Sequence, residues 1–290
     1  MIPVLWQNGS IVVQTHDLFS ALAVIVGLWI YYRSLRGAGM LDSRIVIASS
    51  AVVIGGVIGA RLITAWEHPT YYSAAIEAGA PLGWIVEHSG KSILGALAGG
   101  YVAGVLAKRA LGYRESTADH YVIAIAFATA IGRIGCFLSE LPLGTPTSLP
   151  WGIAASPAAA AAFVRCPDCT LPMHPSMLYE VAFNLAAVVA IVRWRHLIPA
   201  RGDLLRLYLL VDFVFRFLVE FVRGNEVEAF GLTGPQLVLI PMISFLAIHF
   251  ARQAHRGAWH VPDPPTSLRP SGSIRGRPAP TSPEASWRIT

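Results

Sequence analysis

Residues 203–223 read Asp203-Leu204-Leu205-Arg206-Leu207-Tyr208-Leu209-Leu210-Val211-Asp212-Phe213-Val214-Phe215-Arg216-Phe217-Leu218-Val219-Glu220-Phe221-Val222-Arg223. Leucine, valine and phenylalanine dominate, yet Asp212, Arg216, Glu220 and Arg223 recur at intervals of four, four and three. At about 100° per residue that spacing puts all four within an arc of about 80° on one helical face. A ladder of intrahelical ion pairs satisfies such a face, but does not explain why so apolar a helix carries it. Ionisable residues in a membrane-crossing helix are costly, face the bundle interior and mark functional sites. Arg206, near the helix start, reaches the interface by snorkelling.

The rest of the chain agrees with a membrane reading. Of 290 residues, 54% are apolar and 13% charged, and the mean hydropathy is +0.54. Soluble domains carry about 25% charged residues, so an ordinary soluble enzyme and a disordered chain are both excluded. Apolar segments fall at roughly 14–32, 44–66, 92–110, 119–139, 176–194, 203–222 and 235–254, each long enough for ~30 Å of hydrocarbon. The last opens with Gly234-Pro235, a favourable helix start. Alternating ten-residue segments are absent, which excludes a β-barrel. The expected fold is therefore all-α: a polytopic membrane protein with seven transmembrane helices. The first apolar run lacks a basic flank and a cleavage site, so it is read as a retained span, not a signal peptide.

Cationic residues orient the bundle. Arg33, Arg36, Arg44, Lys108, Arg109, Arg114, Arg193, Arg195, Arg201 and six arginines after position 250 fall on one side. The other side holds Lys91, Arg165 and Arg223. The positive-inside rule then places the N-terminus outside and the C-terminus in the cytoplasm. Residues 1–256 read as one helical domain with an external loop, 140–175, expected to carry short helices. Residues 257–290, rich in proline, read as a disordered cytoplasmic tail. The net charge of +5 accompanies no nucleic-acid motif, so no nucleic-acid partner is expected. Gly55 and Gly59, Gly95 and Gly99, and Gly100 and Gly104 form GxxxG pairs, the mark of close helix packing.

Helical rise places the inner charges at a common depth. Counted from the cytoplasmic ends of their spans, Arg133 lies ~21 Å up, Arg216 ~20 Å and Arg61 ~25 Å. Lys91 and the pair Tyr179, Glu180 sit at the outer ends of spans 3 and 5. Gly132 and Gly135 flank Arg133 and allow a backbone or head group close approach. Two arginines in the outer half of a bilayer suit an anionic phosphate, which guanidinium groups grip bidentately. They also suit a phosphate leaving group.

Three stretches then carry a family resemblance. Gly132-Arg133-Ile134-Gly135-Cys136-Phe137, followed by Gly144, resembles the signature of the prolipoprotein diacylglyceryl transferases. His174-Pro175-Ser176-Met177-Leu178-Tyr179-Glu180 resembles that family's His-Pro-Ser-Gln-Leu-Tyr-Glu stretch, and residues 215–223 resemble its penultimate-helix motif. Ser92 to Gly99 is weakly similar to its third-helix segment. The resemblance implies transfer of a diacylglyceryl group from phosphatidylglycerol to the lipobox cysteine thiol of a prolipoprotein precursor. A thioether forms and glycerol phosphate leaves, with no cofactor and no metal. It implies a bacterial cytoplasmic (inner) membrane location among membrane lipids. By the same likeness Arg133 and Arg216 bind lipid, with Gly144, Tyr179, Glu220 and Arg223 beside them, and Arg216 also acts in catalysis.

Several positions depart from the pattern. Leu94-Gly95-Ala96 replaces the family's usual His-Gly-Gly. Cys136 replaces an asparagine, Met177 a glutamine, and Asp212 a tyrosine one turn before the second arginine. The motif glutamate is displaced to Glu140, and the first-span tyrosine has no clear counterpart. A thiol of pKa ~8.5 is mostly protonated at neutral pH, so a base is needed. The candidates are His88, Lys91, Glu140, His174 and Glu180, with Glu140 and His174 carried forward as catalytic. Glu140 also reads as the counter-ion of Arg133, and His174 as a helix cap. The missing histidine leaves open a non-catalytic phospholipid-binding or lipid-transfer paralogue, or a transferase with another acceptor. Cys166-Pro167-Asp168-Cys169 reads as a local disulfide, with a redox pair or zinc site as alternatives. Cys136 reads as a packing residue.

Overall fold

The computed structural model describes residues 4–8, 11–67, 69–81, 92–139, 144–156, 171–198, 202–225 and 227–256. His88, Lys91, Glu140, Arg165, Cys166, Cys169 and the segment 257–290 lie outside them. A hairpin of β1 (Val4–Asn8) and β2 (Ile11–Gln14) leads into α1 (Thr15–Gly37). Then come α2 (Ser43–Glu67), the short α3 (Pro69–Glu77), α4 (Ile93–Ala110) and α5 (Ala118–Leu138). The chain continues through α6 (Ser176–Trp194), α7 (Asp203–Val219), a small hairpin of β3 (Val227–Ala229) and β4 (Leu232–Thr233), and α8 (Gly234–His255).

Six of these helices, α1, α2, α4, α5, α6 and α8, are long and apolar enough to cross a membrane. The seventh expected span is α7. It has 17 residues and carries Asp203, Arg206, Asp212 and Arg216, so length and polarity set it apart. A 3-10 turn, Glu220–Val222, continues it without a break. Together they reach ~31 Å at 1.5 Å and 2.0 Å per residue, the thickness of the hydrocarbon layer.

The bundle is apolar outside, and within it a polar cluster is set into an apolar core. Val211, Val214 and Leu218 point outward from α7, Phe221 from the turn that follows it, and Val189 and Val192 from α6. Glu180, Asn184, Asp203, Asp212, Arg216 and Glu220 are buried. So broad an apolar exterior demands lipid, not water.

Glycine sets the α2–α4 crossing. A Cβ placed on Gly59 would lie 2.3 Å from the Gly95 carbonyl, and one on Gly99 would lie 2.3 Å from that of Gly55. Two of the GxxxG pairs thus face each other backbone to backbone. The α4 start is tied to the same helix, because the Ser92 backbone N–H donates to Thr64 Oγ1 at 2.9 Å. Ser92 Oγ in turn accepts from the Gly95 N–H at 3.3 Å.

Caps fix α7 and α8. Gly202 adopts φ of 87°, a left-handed value that suits glycine. Its N–H and that of Leu205 donate to the Asp119 carboxylate at 2.7 and 3.1 Å. An anion from α5 therefore caps the α7 N-terminus. Thr233 and Gln236 form a capping box at the α8 start, with Pro in the first turn.

A cavity of about 460 Å³ lies among α1, α2, α4, α5 and α7. Ala23, Gly27, Ala96, Gly100, Ala128 and Leu209 are among its mostly apolar lining, and Lys108, Arg109 and Arg206 line it near the helix ends.

Candidate functional site

The site is built on Glu180, in the second turn of α6 and 1% exposed. Arg133 Nε of α5 donates to Glu180 Oε2 at 2.8 Å. Arg216 Nη1 of α7 reaches the same oxygen at 2.7 Å. Arg223 Nη1, just past α7, stands 3.4 Å from Oε1. Three arginines distant in sequence therefore converge on one carboxylate. The expected shared depth of Arg133 and Arg216 agrees with this arrangement.

The predicted ladder along α7 is present but incomplete. Arg216 Nε donates to Asp212 Oδ2 at 2.7 Å, and Arg223 Nη1 lies 3.7 Å from Glu220 Oε2. Glu220 accepts from Thr233 Oγ1 at 3.1 Å and from Asn225 Nδ2. Gln236 Nε2 donates to the Phe217 carbonyl at 3.2 Å. The α8 start thus braces the last turn of α7. Behind Glu180, Asn184 Nδ2 donates to the Glu180 carbonyl at 2.8 Å, and Tyr208 Oη donates to Asn184 Oδ1 at 2.7 Å.

Among the described residues of this cluster, Arg216 Nη2, Asp212 Oδ1 and Glu180 Oε1 are buried and make no hydrogen bond, although Glu180 Oε1 has the Arg223 guanidinium at 3.4 Å. The Arg216 and Asp212 side chains pair through one prong only, Nε to Oδ2. A donor and an acceptor are left over on the same ion pair. Buried polar atoms are satisfied in the great majority of cases, so this pair marks where a ligand with complementary groups fits.

The other expected residues are placed as follows. Tyr179 Oη accepts from Trp151 Nε1 at 2.8 Å and lies 3.1 Å from His174 Nδ1. His174 precedes Pro175, the N-cap of α6. Gly144 is wedged between backbones, because a Cβ there would lie 2.5 Å from both the His174 and Val222 carbonyls. The adjoining Thr145 N–H donates to the Val222 carbonyl at 2.9 Å, and the His174 N–H to the Thr145 carbonyl at 2.9 Å. This segment straps the end of α7 to the start of α6. Bridges join Met173 to Pro146 and Ile153, and no helix occurs among the described residues of the 140–175 loop.

Sequence spacing made Glu140 the counter-ion of Arg133, and Glu140 lies outside the described residues; among the described residues a carboxylate on Arg133 is that of Glu180. Sequence reasoning named Glu180 only as a candidate base, and missed Asn184 and Tyr208 behind it and Thr233, Asn225 and Gln236 around the end of α7. The one available signal was the Tyr179-Glu180 pair at the outer end of its span. Gly135 lets α1 approach, since a Cβ there would lie 2.3 Å from Phe19 Cβ, whereas Gly132 faces open space. Cys136 is buried and interacts with both Arg133 and His16. Leu94 is packed among Phe213, Leu239 and Leu246. No group of His, Cys, Asp and Glu suited to a metal ion occurs among the described residues.

Fold and site define a polytopic helical membrane protein with a buried arginine–carboxylate centre close to the ends of α5 and α7. Comparison with known proteins narrows that class. The family model for prolipoprotein diacylglyceryl transferase matches residues 3–252, and the chain belongs to that family. It is 30% identical over 264 residues to a phosphatidylglycerol–prolipoprotein diacylglyceryl transferase of Leifsonia xyli, covering 87% of this chain and 78% of that one. The similarly named protein of Cereibacter sphaeroides is 31% identical over 277 residues, covering 82% and 90%. That of Methylococcus capsulatus is 31% identical over 271 residues, covering 87% and 97%.

Proposed function

We propose that the protein transfers a diacylglyceryl group from phosphatidylglycerol to the lipobox cysteine of a prolipoprotein, in the bacterial cytoplasmic membrane. The observation that carries this reading is the convergence of Arg133 and Arg216 on Glu180, with Arg216 Nη2 left without a hydrogen-bond partner among the described residues. A phosphate oxygen accepts from that N–H. In so dry a setting the hydrogen bond is strong.

The three arginines face Glu180, Asp212 and Glu220, so the resting charges balance. A single-charge phosphodiester makes the centre one unit anionic, and the departing glycerol phosphate gains further charge. Guanidinium groups held rigidly by their carboxylates stabilise that gain without having to reorganise. The apolar cavity toward the opposite end of α5 and α7 suits acyl chains. Arg133 and Arg216 are the proposed lipid-binding residues, with Glu220 and Arg223 shaping the outer edge. Tyr179, His174 and Gly144 hold the strap that closes over it.

The test is turnover of labelled phosphatidylglycerol with a lipobox peptide. This reading predicts a thioether product and release of glycerol phosphate. Leu94, buried where the family's histidine usually stands, favours a second reading, phospholipid binding without transfer. Lipid binding with no thioether selects that reading.

A further inference from the structure

We propose that Asp212 is the proton acceptor for the attacking thiol. The proposal rests on the transfer reading above and adds the residue that activates the nucleophile.

Asp212 is 1% exposed. Its Oδ2 accepts from Arg216 Nε at 2.7 Å, while Oδ1 is buried without a hydrogen-bond partner among the described residues. A carboxylate bound by one oxygen is held in place, and its second oxygen is available to a donor. Phosphatidylglycerol offers the arginines an anion; the S–H of the second substrate is the donor that the reaction must place and deprotonate.

Depth supports the assignment. Asp212 lies four residues before Arg216 on the same face, hence ~6 Å further into the bundle. With the phosphate on Arg216 Nη2 and the acyl chains in the cavity, the glyceryl carbon lies below the phosphate. Displacement at that carbon is in line, so the sulfur enters opposite the leaving oxygen, at the level of Asp212. The charged and titratable groups around Asp212 are Tyr208 and Arg216 on α7, Glu180 on α6 and Arg133 on α5. Glu180 Oε2 is engaged by Arg133 and Arg216, its Oε1 makes no hydrogen bond but faces the Arg223 guanidinium at 3.4 Å, and Tyr208 donates to Asn184; Asp212 Oδ1 is the free carboxylate oxygen on the deeper side.

The step balances. Asp212 Oδ1 takes the thiol proton as sulfur bonds to the glyceryl carbon. The bond from that carbon to the phosphate oxygen breaks, and its electron pair leaves with glycerol phosphate as a dianion. The proton on Asp212 then passes to that dianion, which restores the carboxylate.

The experiment compares wild type, Asp212→Asn and Asp212→Glu in phosphatidylglycerol vesicles with a lipobox peptide, from pH 6.5 to pH 9.5. Lipid binding and thioether formation are both read. D212N is expected to bind phosphatidylglycerol within about threefold of wild type and to transfer at least ~100-fold more slowly at pH 7. Its deficit is expected to fall below about tenfold at pH 9.5, where a thiol of pKa ~8.5 ionises unaided. D212E, which keeps a carboxylate, is expected to stay within about tenfold of wild type at pH 7. A D212N deficit that is the same at every pH overturns the proposal. So does loss of lipid binding in step with rate, or a D212E rate as low as that of D212N. If D212N does not fold, the D212E rate decides alone. Wild type that binds lipid but forms no thioether overturns the transfer reading, and the role of Asp212 with it.

Discussion

Glu180 holds three cations that come from α5, from α7 and from the turn beyond it. Removing one member of a buried ion cluster leaves charge uncompensated, at a cost of about 3–5 kcal/mol. Glu180→Gln keeps the volume and removes the charge. It is expected to lower the midpoint of thermal unfolding in detergent by several degrees, and an unchanged midpoint would show that the cluster contributes little to the fold. Arg216→Lys keeps the charge but loses the fork that serves Asp212, Glu180 and a ligand together. Thioether formation is expected to fall at least tenfold, about 1.4 kcal/mol, in an initial-rate assay with labelled lipid. At this scale the sequence disclosed the cations but not their partner. Depth along a helix follows from rise per residue, so Arg133 and Arg216 could be put at one level. Which acid they share depends on how helices rotate against each other. Seven residues of spacing pointed only to Glu140, which lies beyond the described end of α5, and local spacing could not show the pairing across to Glu180 on α6.

The α2–α4 pair was legible because GxxxG encodes a close crossing directly. Gly59 has no room for a side chain, its virtual Cβ lying 2.3 Å from the Gly95 carbonyl, while Gly132 has nothing within 4 Å. Gly59→Ala is therefore expected to destabilise by about 1–3 kcal/mol through overpacking. Gly132→Ala is expected to be neutral or to stabilise by up to ~1 kcal/mol, since alanine favours helix. Paired denaturation midpoints check both, and a reversal of the order would contradict the packing described. The α7 helix was legible as a charged face, yet its extent was not. The sequence read as one run to residue 222, and the structure tightens into a 3-10 turn at Glu220. That turn brings Glu220 to Thr233 and Asn225, contacts that depend on the β3–β4 hairpin and have no signature in local spacing.

Across the described bundle six charged side chains, Arg133, Glu180, Asp203, Asp212, Arg216 and Glu220, are buried beside an apolar core, while many leucines, valines and isoleucines face out. Composition alone implied this, because 13% charged residues cannot coat a soluble surface of this size. Cationic loop residues predict the C-terminal end of α8 in the cytoplasm. A reporter fused after Arg256 is expected to be active only as a cytoplasmic enzyme, and activity of a periplasmic reporter at that position would reverse the orientation. The proposed activity depends on Arg133 and Arg216 together gripping a lipid phosphate. Equilibrium binding of phosphatidylglycerol to wild type, Arg133→Ala and Arg216→Ala, each monodisperse in neutral-lipid nanodiscs, tests it most directly. At least tenfold weaker binding is expected in each variant. Wild-type affinity in both would contradict it.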